Sequence, residues 1–318
     1  MEPTTRKDAP FISVQQIERL DRTYCSDWLS NNKLTCFERG KASADEYWHE
    51  RDLVTNEKKS LGIPPYLTVQ VSPIRQHAVA YPYYGGEIRL INLEQGRSIT
   101  LPQQSRGNRG TWTDNGLYVT TTVRENGNHI AIIDAATGSV TDIPLPQQVQ
   151  QVQKVQAKGE WIYVLDQSSQ LLTFKTSAPT EIFQTLANVA DFSLSPSGQE
   201  LAYVINDSNT SQQKLYITSP DLVARNESPP IARMKVIGQL SWSPTGDRLA
   251  FMSLDLNQGV SGMYLISANT GSTTQLTNQA NMKAPVVWSP NGQQLLVSES
   301  NEYDYYNRDS ITTIYRLK

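Results

Sequence analysis

Leu240–Phe251 reads LSWSPTGDRLAF, and the fold turns on how that phrase is read. Two near copies flank it: DFSLSPSGQELAY at Asp191–Tyr203 and VVWSPNGQQLLV at Val286–Val297. Each copy is an apolar strand, a Ser-Pro-x-Gly turn and a second apolar strand. Proline at the second turn position presets φ near −65°, and glycine at the fourth accepts a positive φ without steric cost. That is hairpin chemistry. Copies recurring every 45 residues or so make a repeat array, which governs the reading of everything else.

With the residue before each turn as a register mark, the array extends towards the N-terminus. The marks are Trp28, Val71, Trp112, Val155, Leu194, Trp242 and Trp288, at intervals of 43, 41, 43, 39, 48 and 46 residues. Tryptophan stands at four of the seven, where a large ring can fill the gap between neighbouring sheets. The early turns degrade to LSNN (Leu29–Asn32), SPIR (Ser72–Arg75), TDNG (Thr113–Gly116) and AKGE (Ala157–Glu160). The glutamine-rich run Gln147–Gln156, QQVQQVQKVQ, reads as a connection entering a strand.

A third strand with period-two alternation follows in six copies: Ile88–Leu93, Ile130–Asp134, Leu171–Lys175, Lys214–Thr218, Gly262–Ser267 and Ile311–Tyr315. Short turns such as Asn269–Gly271 then lead to a fourth strand such as Thr273–Leu276. Four strands per repeat of this length is the signature of a β-propeller blade. No segment sustains a 3.6-residue period, so helices are not expected. After Trp288 the chain supplies three strands and ends at Lys318, while Phe11–Leu20, FISVQQIERL, stands where an outer strand is due. The sequence therefore predicts an all-β chain. Residues 1–10 form a tail, and residues 11–318 form a single β-propeller whose ring is closed by the N-terminal strand completing the last blade. The count is seven blades, or six if the fourth copy is not a blade.

Composition narrows the function classes. The 318 residues carry a net charge of −3, with no run of five like charges to form a nucleic-acid stripe or polybasic patch. No apolar stretch has the length of a membrane span. Met1–Pro10 lacks the apolar core of a signal peptide, which leaves two readings: a cytoplasmic protein, or an exported domain written without its leader.

The phrases LSWSPTGDRLAFMS, FSLSPSGQELAYVI and VVWSPNGQQLLVSE resemble the WD40-like repeats of the TolB propeller family. The resemblance covers the C-terminal half. It implies a rigid propeller platform for protein partners in the bacterial envelope, hence a periplasmic or extracytoplasmic setting. The chain departs from TolB itself, which pairs six blades with a small α/β domain that has no room here. Similar repeats occur in sensory domains of membrane-bound regulators and in peptidase propellers.

The search for catalytic residues is negative. His49, His77 and His129 lie in different repeats, with His77 in a strand and the other two read as loop residues, so no metal set converges. No HExxH, GxSxG, P-loop or CxxC motif is present. The expectation is a chain without enzymatic activity, metal or cofactor, monomeric and binding no nucleic acid. The alternatives are a hydrolase or lyase using loop carboxylates such as Asp255 and Asp304 near the channel mouth, and a ligand-sensing extracytoplasmic domain of a larger membrane regulator. Cys25 and Cys36 flank the first turn in CSDWLSNNKLTC. They oppose each other if the loop is Ser30–Asn31 and lie diagonally if it is shifted by one. Opposed, they would form a cross-strand disulfide in an exported protein; buried free thiols are the other reading.

Loop lengths point to a recognition face. The connections between second and third strands are long at Glu38–Glu50, Asn206–Gln213, Leu254–Ser261 and Glu299–Asp309, in blades that ring closure makes neighbours. Two of them mix aromatic and charged residues: DEYWHER at Asp45–Arg51 and EYDYYNR at Glu302–Arg308. Tyr47, Trp48, Tyr303, Tyr305, Tyr306 and Arg308 are therefore the expected contacts for a protein or peptide partner. YPYY at Tyr81–Tyr84 adds a shorter aromatic loop.

Overall fold

The computed structural model describes residues 12–38, 47–64, 66–82, 85–105, 110–124, 127–147, 149, 151–220, 229–255, 261–299 and 310–318. All elements among them are β-strands. They build seven blades, the fold of a seven-bladed β-propeller, numbered by the register marks above. Blade one is β2 (Thr23–Ser30), β3 (Lys33–Glu38), β4 (Trp48–Asp52) and β5 (Lys58–Ile63). Blade two is β6 (Leu67–Val71), β7 (His77–Pro82), β8 (Gly86–Asn92) and β9 (Arg97–Ser105). Blade three follows with β10 (Thr111–Trp112), β11 (Leu117–Arg124), β12 (Gly127–Asp134) and β13 (Val140–Pro144). Blade four has β14 (Val152–Lys158), β15 (Trp161–Asp166), β16 (Leu171–Lys175) and β17 (Ala178–Leu186). Blade five has β18 (Val189–Leu194), β19 (Leu201–Asp207), β20 (Gln212–Thr218) and β21 (Ala232–Met234). Blade six has β22 (Ile237–Trp242), β23 (Arg248–Ser253), β24 (Gly262–Ser267) and β25 (Thr273–Thr277). Blade seven joins β26 (Val286–Trp288), β27 (Gln294–Glu299) and β28 (Ile311–Leu317) to β1 (Val14–Asp21), so both ends of the described chain share one sheet. The N-terminal strand is where the repeat count places it.

The chain divides into two compact units: blades one to four with the end of β1 and the start of β28 (Ile311 and Thr312) in one, and blades five to seven with the rest of β1 and β28 in the other. In the first, Val69, Val71, Ala78 and Ala80 pack with Trp48 and Phe37, while Val119, Ile130, Val155, Ile162 and Phe174 form a second core cluster. In the second, Leu215, Leu249, Phe251 and Ile266 pack between blades five and six. Leu295, Val297 and Tyr315 anchor blade seven.

The Ser-Pro-x-Gly phrase works through its side chains as well as its backbone. Gly198, Gly246 and Gly292 each donate N–H to the carbonyl of the turn serine, at 2.8, 2.9 and 2.9 Å. The serine hydroxyls of Ser195, Ser243 and Ser289 accept the N–H five residues on, from Glu200, Arg248 and Gln294. The glycines sit at φ +72°, +74° and +66°, and Arg75 holds the same place in blade two at +61°. An L side chain in that region costs about 1–2 kcal/mol, and Arg75 offsets it by reaching back to blade one. Its guanidinium donates to the Trp28 carbonyl and lies 3.3 Å from Asp27 Oδ1. Two of the tryptophans at the marks bond between blades: Trp242 Nε1 donates to Ser193 O at 2.9 Å, and Trp288 Nε1 to Ser241 O at 3.0 Å. Asp27 serves the same purpose, accepting Trp28 N–H at 2.8 Å and Val71 N–H at 3.0 Å.

Blades two and three depart from the repeat. β10 has two residues, and β9 runs on so that Ser105 pairs with both Gly86 and Thr122, merging the two blades into an eight-stranded sheet. Gly110 stands just before the short strand, where only a glycine fits. A Cβ there would lie 2.4 Å from Tyr118 Cζ and 2.6 Å from Val119 O. Its N–H donates instead to Tyr118 Oη, whose hydroxyl donates to Gln70 Oε1 at 2.6 Å.

Candidate functional site

Blade one carries the densest described group of site residues, and its geometry starts from the cysteines. The hairpin loop is Asn31–Asn32, since Ser30 pairs with Lys33. That register alone would leave the cysteines out of line. Two register shifts, between Trp28 and Ser30 and between Cys25 and Asp27, bring Cys25 opposite Cys36. The sulfurs are bonded, and both residues are buried. Thr312, in the same unit, accepts Cys25 N–H at 3.0 Å and donates to Thr23 O at 2.8 Å.

On the far side of Cys36 comes β4, which corrects the reading of Asp45–Arg51 as loop: Trp48–Asp52 is a strand. Trp48 is corrected with it, because the residue is 2% exposed and cannot be a surface contact. Its ring lies between Tyr24 and Phe37, with centroids 6.0 and 6.2 Å away, and its Nε1 donates to Leu67 O at 2.8 Å. A buried indole needs one acceptor, and the first strand of blade two supplies it. The neighbours of this anchor face outward. Tyr47 is 45% exposed, and Tyr66, the residue before Leu67, is 56% exposed. Tyr66 was not anticipated. The available signal was Pro64, which follows the last residue of β5.

Charge gathers on the same blade, around Glu38. Glu38, the last residue of β3, accepts from Arg51 and Lys58 and from Thr23 Oγ1 at 3.3 Å. Burial alone would raise its carboxyl, but the Lys58 bond and charge, then Arg51 and His49, hold it below the usual glutamate value. Lys33 and Glu50 pair at 2.5 Å on the same blade. His49 is a strand residue and not a loop one, as is His129 on β12; His77 is on β7 as read. Among the described residues no three His, Cys, Asp or Glu side chains converge to hold a metal ion.

Other sequence candidates fall elsewhere. Tyr303, Tyr305, Tyr306, Arg308 and Asp304 lie outside the described residues, as do Tyr83 and Tyr84. Tyr81 packs inward at 2% exposure, its hydroxyl donating to Gln70 Oε1. Asp255 is buried, its N–H donating to Ser261 Oγ at 3.0 Å. The blade-five connection at Asn206–Gln213 is tight, because Asn206 pairs with Gln213 and Asp207 with Gln212 across a turn at 208–211.

No protein-family model matches the sequence, and no curated protein matches it. Solved structures do. An oligogalacturonate lyase in complex with manganese superposes with a TM-score of 0.67 at 13% identity, over 94% of this chain and 91% of its own. The lyase from Vibrio parahaemolyticus gives 0.65 at 11%, over 96% and 98%. The β-propeller domain of Myceliophteria thermophila Cps50 (Swd1) gives 0.60 at 13%, over 96% and 100%. The shared property is the propeller fold. These likenesses do not carry the TolB repeat family. They also correct the expectation of a chain without enzymatic activity: two of the structures are enzymes on this same fold. The described residues offer no donor set for a manganese centre, so no chemical step is derived through one.

Proposed function

We propose that this propeller binds a protein or peptide partner at the blade-one surface formed by Tyr47 and Tyr66. The observation that carries the reading is the pairing of two exposed tyrosines with one buried tryptophan. Trp48 follows Tyr47 directly and bonds to the residue after Tyr66, so both tyrosines are fixed in backbone position while their rings meet solvent. Tyrosine gives large contact area with few rotors to order, and it is enriched among residues that dominate binding energy. WD40-type support comes from Cps50 and from the Mitotic Checkpoint Complex, whose matching chain superposes with a TM-score of 0.60 at 12% identity, over 99% of this chain and 94% of that one. The Cys25–Cys36 disulfide supports work in an oxidising compartment, the periplasm or another extracytoplasmic space. Peptides selected from a display library on the whole protein test the surface. Tyr47→Ala and Tyr66→Ala should each weaken them by about tenfold or more, and undiminished binding by both variants sinks the assignment.

The full-length superposition on the lyases favours a second reading, an enzyme acting on an acidic oligosaccharide. Oligogalacturonate with and without added manganese is the direct assay. Formation of an unsaturated product, seen by ultraviolet absorbance, would replace the first reading with this one.

A further inference from the structure

Three of the chain's five methionines meet on one face of blade six. Met252 on β23 stands directly opposite Met263 on β24, and on its other side opposite Gly238 on β22. Opposed residues of antiparallel strands point to the same face, with Cβ atoms about 5 Å apart. Gly238 has no side chain to place in that row, and Met282 fills the gap: its Cε lies 3.0 Å from where a Cβ on Gly238 would stand. Met252 and Met263 are buried, and Met282 packs against the same cluster while partly exposed. The row thus brings three thioethers side by side, one of them in reach of solvent.

The backbone holds Met282 in place from an unusual position. Gln239 adopts φ +56°, in the left-handed region, where the pairing of β22 with β23 shifts register between Gly238 and Ser241. From there its Nε2 donates to Met282 O at 2.7 Å. A residue other than glycine is strained in that conformation, and such strain gathers at binding sites. We propose that Met252, Met263 and Met282 form a binding site for a soft monovalent cation, Cu(I) or its redox-inert analogue Ag(I). Thioether sulfur is a neutral, polarisable donor that selects soft ions over hard ones. The cluster around it, with Val286, Trp288 and Val297, is apolar. A single positive charge is tolerated there far better than the two of a divalent ion. No thiolate competes for the cation, because the chain's two cysteines are joined in the blade-one disulfide. Binding also releases no proton, since a thioether carries none. The site lies within one compact unit and is independent of the tyrosine surface.

The test uses the whole protein with carbon-13 in its methionine methyl groups, titrated with silver nitrate in chloride-free buffer and followed by NMR. The methyl resonances of Met252, Met263 and Met282 should move together and saturate at one silver per chain. Met234, which packs against a different core cluster, should stay in place. Zinc, whose ligands are thiolate, imidazole and carboxylate, should leave all four unmoved. Leucine conserves volume, so Met263→Leu and Met282→Leu should each keep the thermal melt. Each should weaken silver binding by more than the roughly tenfold that loss of an outer-shell partner costs. The proposal is overturned by resonances that stay put at several equivalents of silver, by a Met234 shift of equal size, or by zinc moving the same three. Silver binding to Met282→Leu at wild-type strength overturns it too. If a leucine variant does not fold, the wild-type titration decides alone.

Discussion

Replacing Asp27 with alanine probes how consecutive blades are held together. The carboxylate is 7% exposed and accepts Trp28 N–H, Val71 N–H and the Arg75 guanidinium, at 2.8, 3.0 and 3.3 Å. Removing it leaves the Val71 N–H buried without an acceptor, a loss of about 1–3 kcal/mol. Breaking a buried ion pair from one side costs about 3–5 kcal/mol, but the Arg75 side chain is 24% exposed and keeps its bond to the Trp28 carbonyl. Water and that carbonyl recover part of the loss. The expected total is roughly 3 kcal/mol, read as a fall in unfolding free energy by urea titration with tryptophan fluorescence. The double variant with Arg75→Ala should fall short of the sum of the singles by about 1 kcal/mol, because the two residues share one contact. A loss under about 1 kcal/mol for Asp27→Ala, or strict additivity in the cycle, would refute the idea that this carboxylate ties the two inner strands.

Three further expectations follow from local geometry. Gly246→Ala forces a Cβ onto a residue at φ +74° and should cost about 1–2 kcal/mol in a thermal melt, with packing unaffected since Pro196 Cδ would stand 3.6 Å away. The Tyr203 phenol is pushed up to about 12, first by burial and then by the charge its neighbour Tyr216 carries when ionised, so ultraviolet titration should find it ionising well after an ordinary tyrosine. Because its folded value is raised, that group's contribution to stability is whole below about pH 10 and is lost as pH climbs towards 12. Trp48→Ala should lower stability by about 3–5 kcal/mol instead of acting as a selective binding mutation, and a fully stable variant would contradict its place as anchor.

What the sequence made legible was local. The Ser-Pro-x-Gly turns declare themselves because serine hydroxyl, proline φ and glycine φ all act within six residues, and strands β16 and β24 begin and end where alternation places them. Charged strands were harder. WHERD at Trp48–Asp52 reads as a loop because only its first residue is apolar, and its pairing with both β3 and β5 is a tertiary fact. The same ambiguity made Trp48 look like a surface contact, since an aromatic among charges has one sequence signature whether it faces solvent or core. The valines of the glutamine-rich run recur every third residue, neither strand nor helix spacing. Val149, Val152 and Val155 are nevertheless all buried, because the register shifts where the connection enters β14. The cysteine pairing was readable only as alternatives, as two bulges decide it. Nor could the merging of blades two and three be foreseen, because it depends on one long-range pairing, Ser105 with Thr122, between strands of different blades.

The central claim is that recognition happens at Tyr47 and Tyr66. A photo-reactive phenylalanine analogue at position 66 in the producing cell, compared with the same analogue at exposed Ile99, tests it most directly. The account predicts a discrete cross-linked partner from position 66, none from position 99, and loss of the product on adding Tyr47→Ala. Equal labelling from both positions, or a product that survives Tyr47→Ala at full yield, would contradict it.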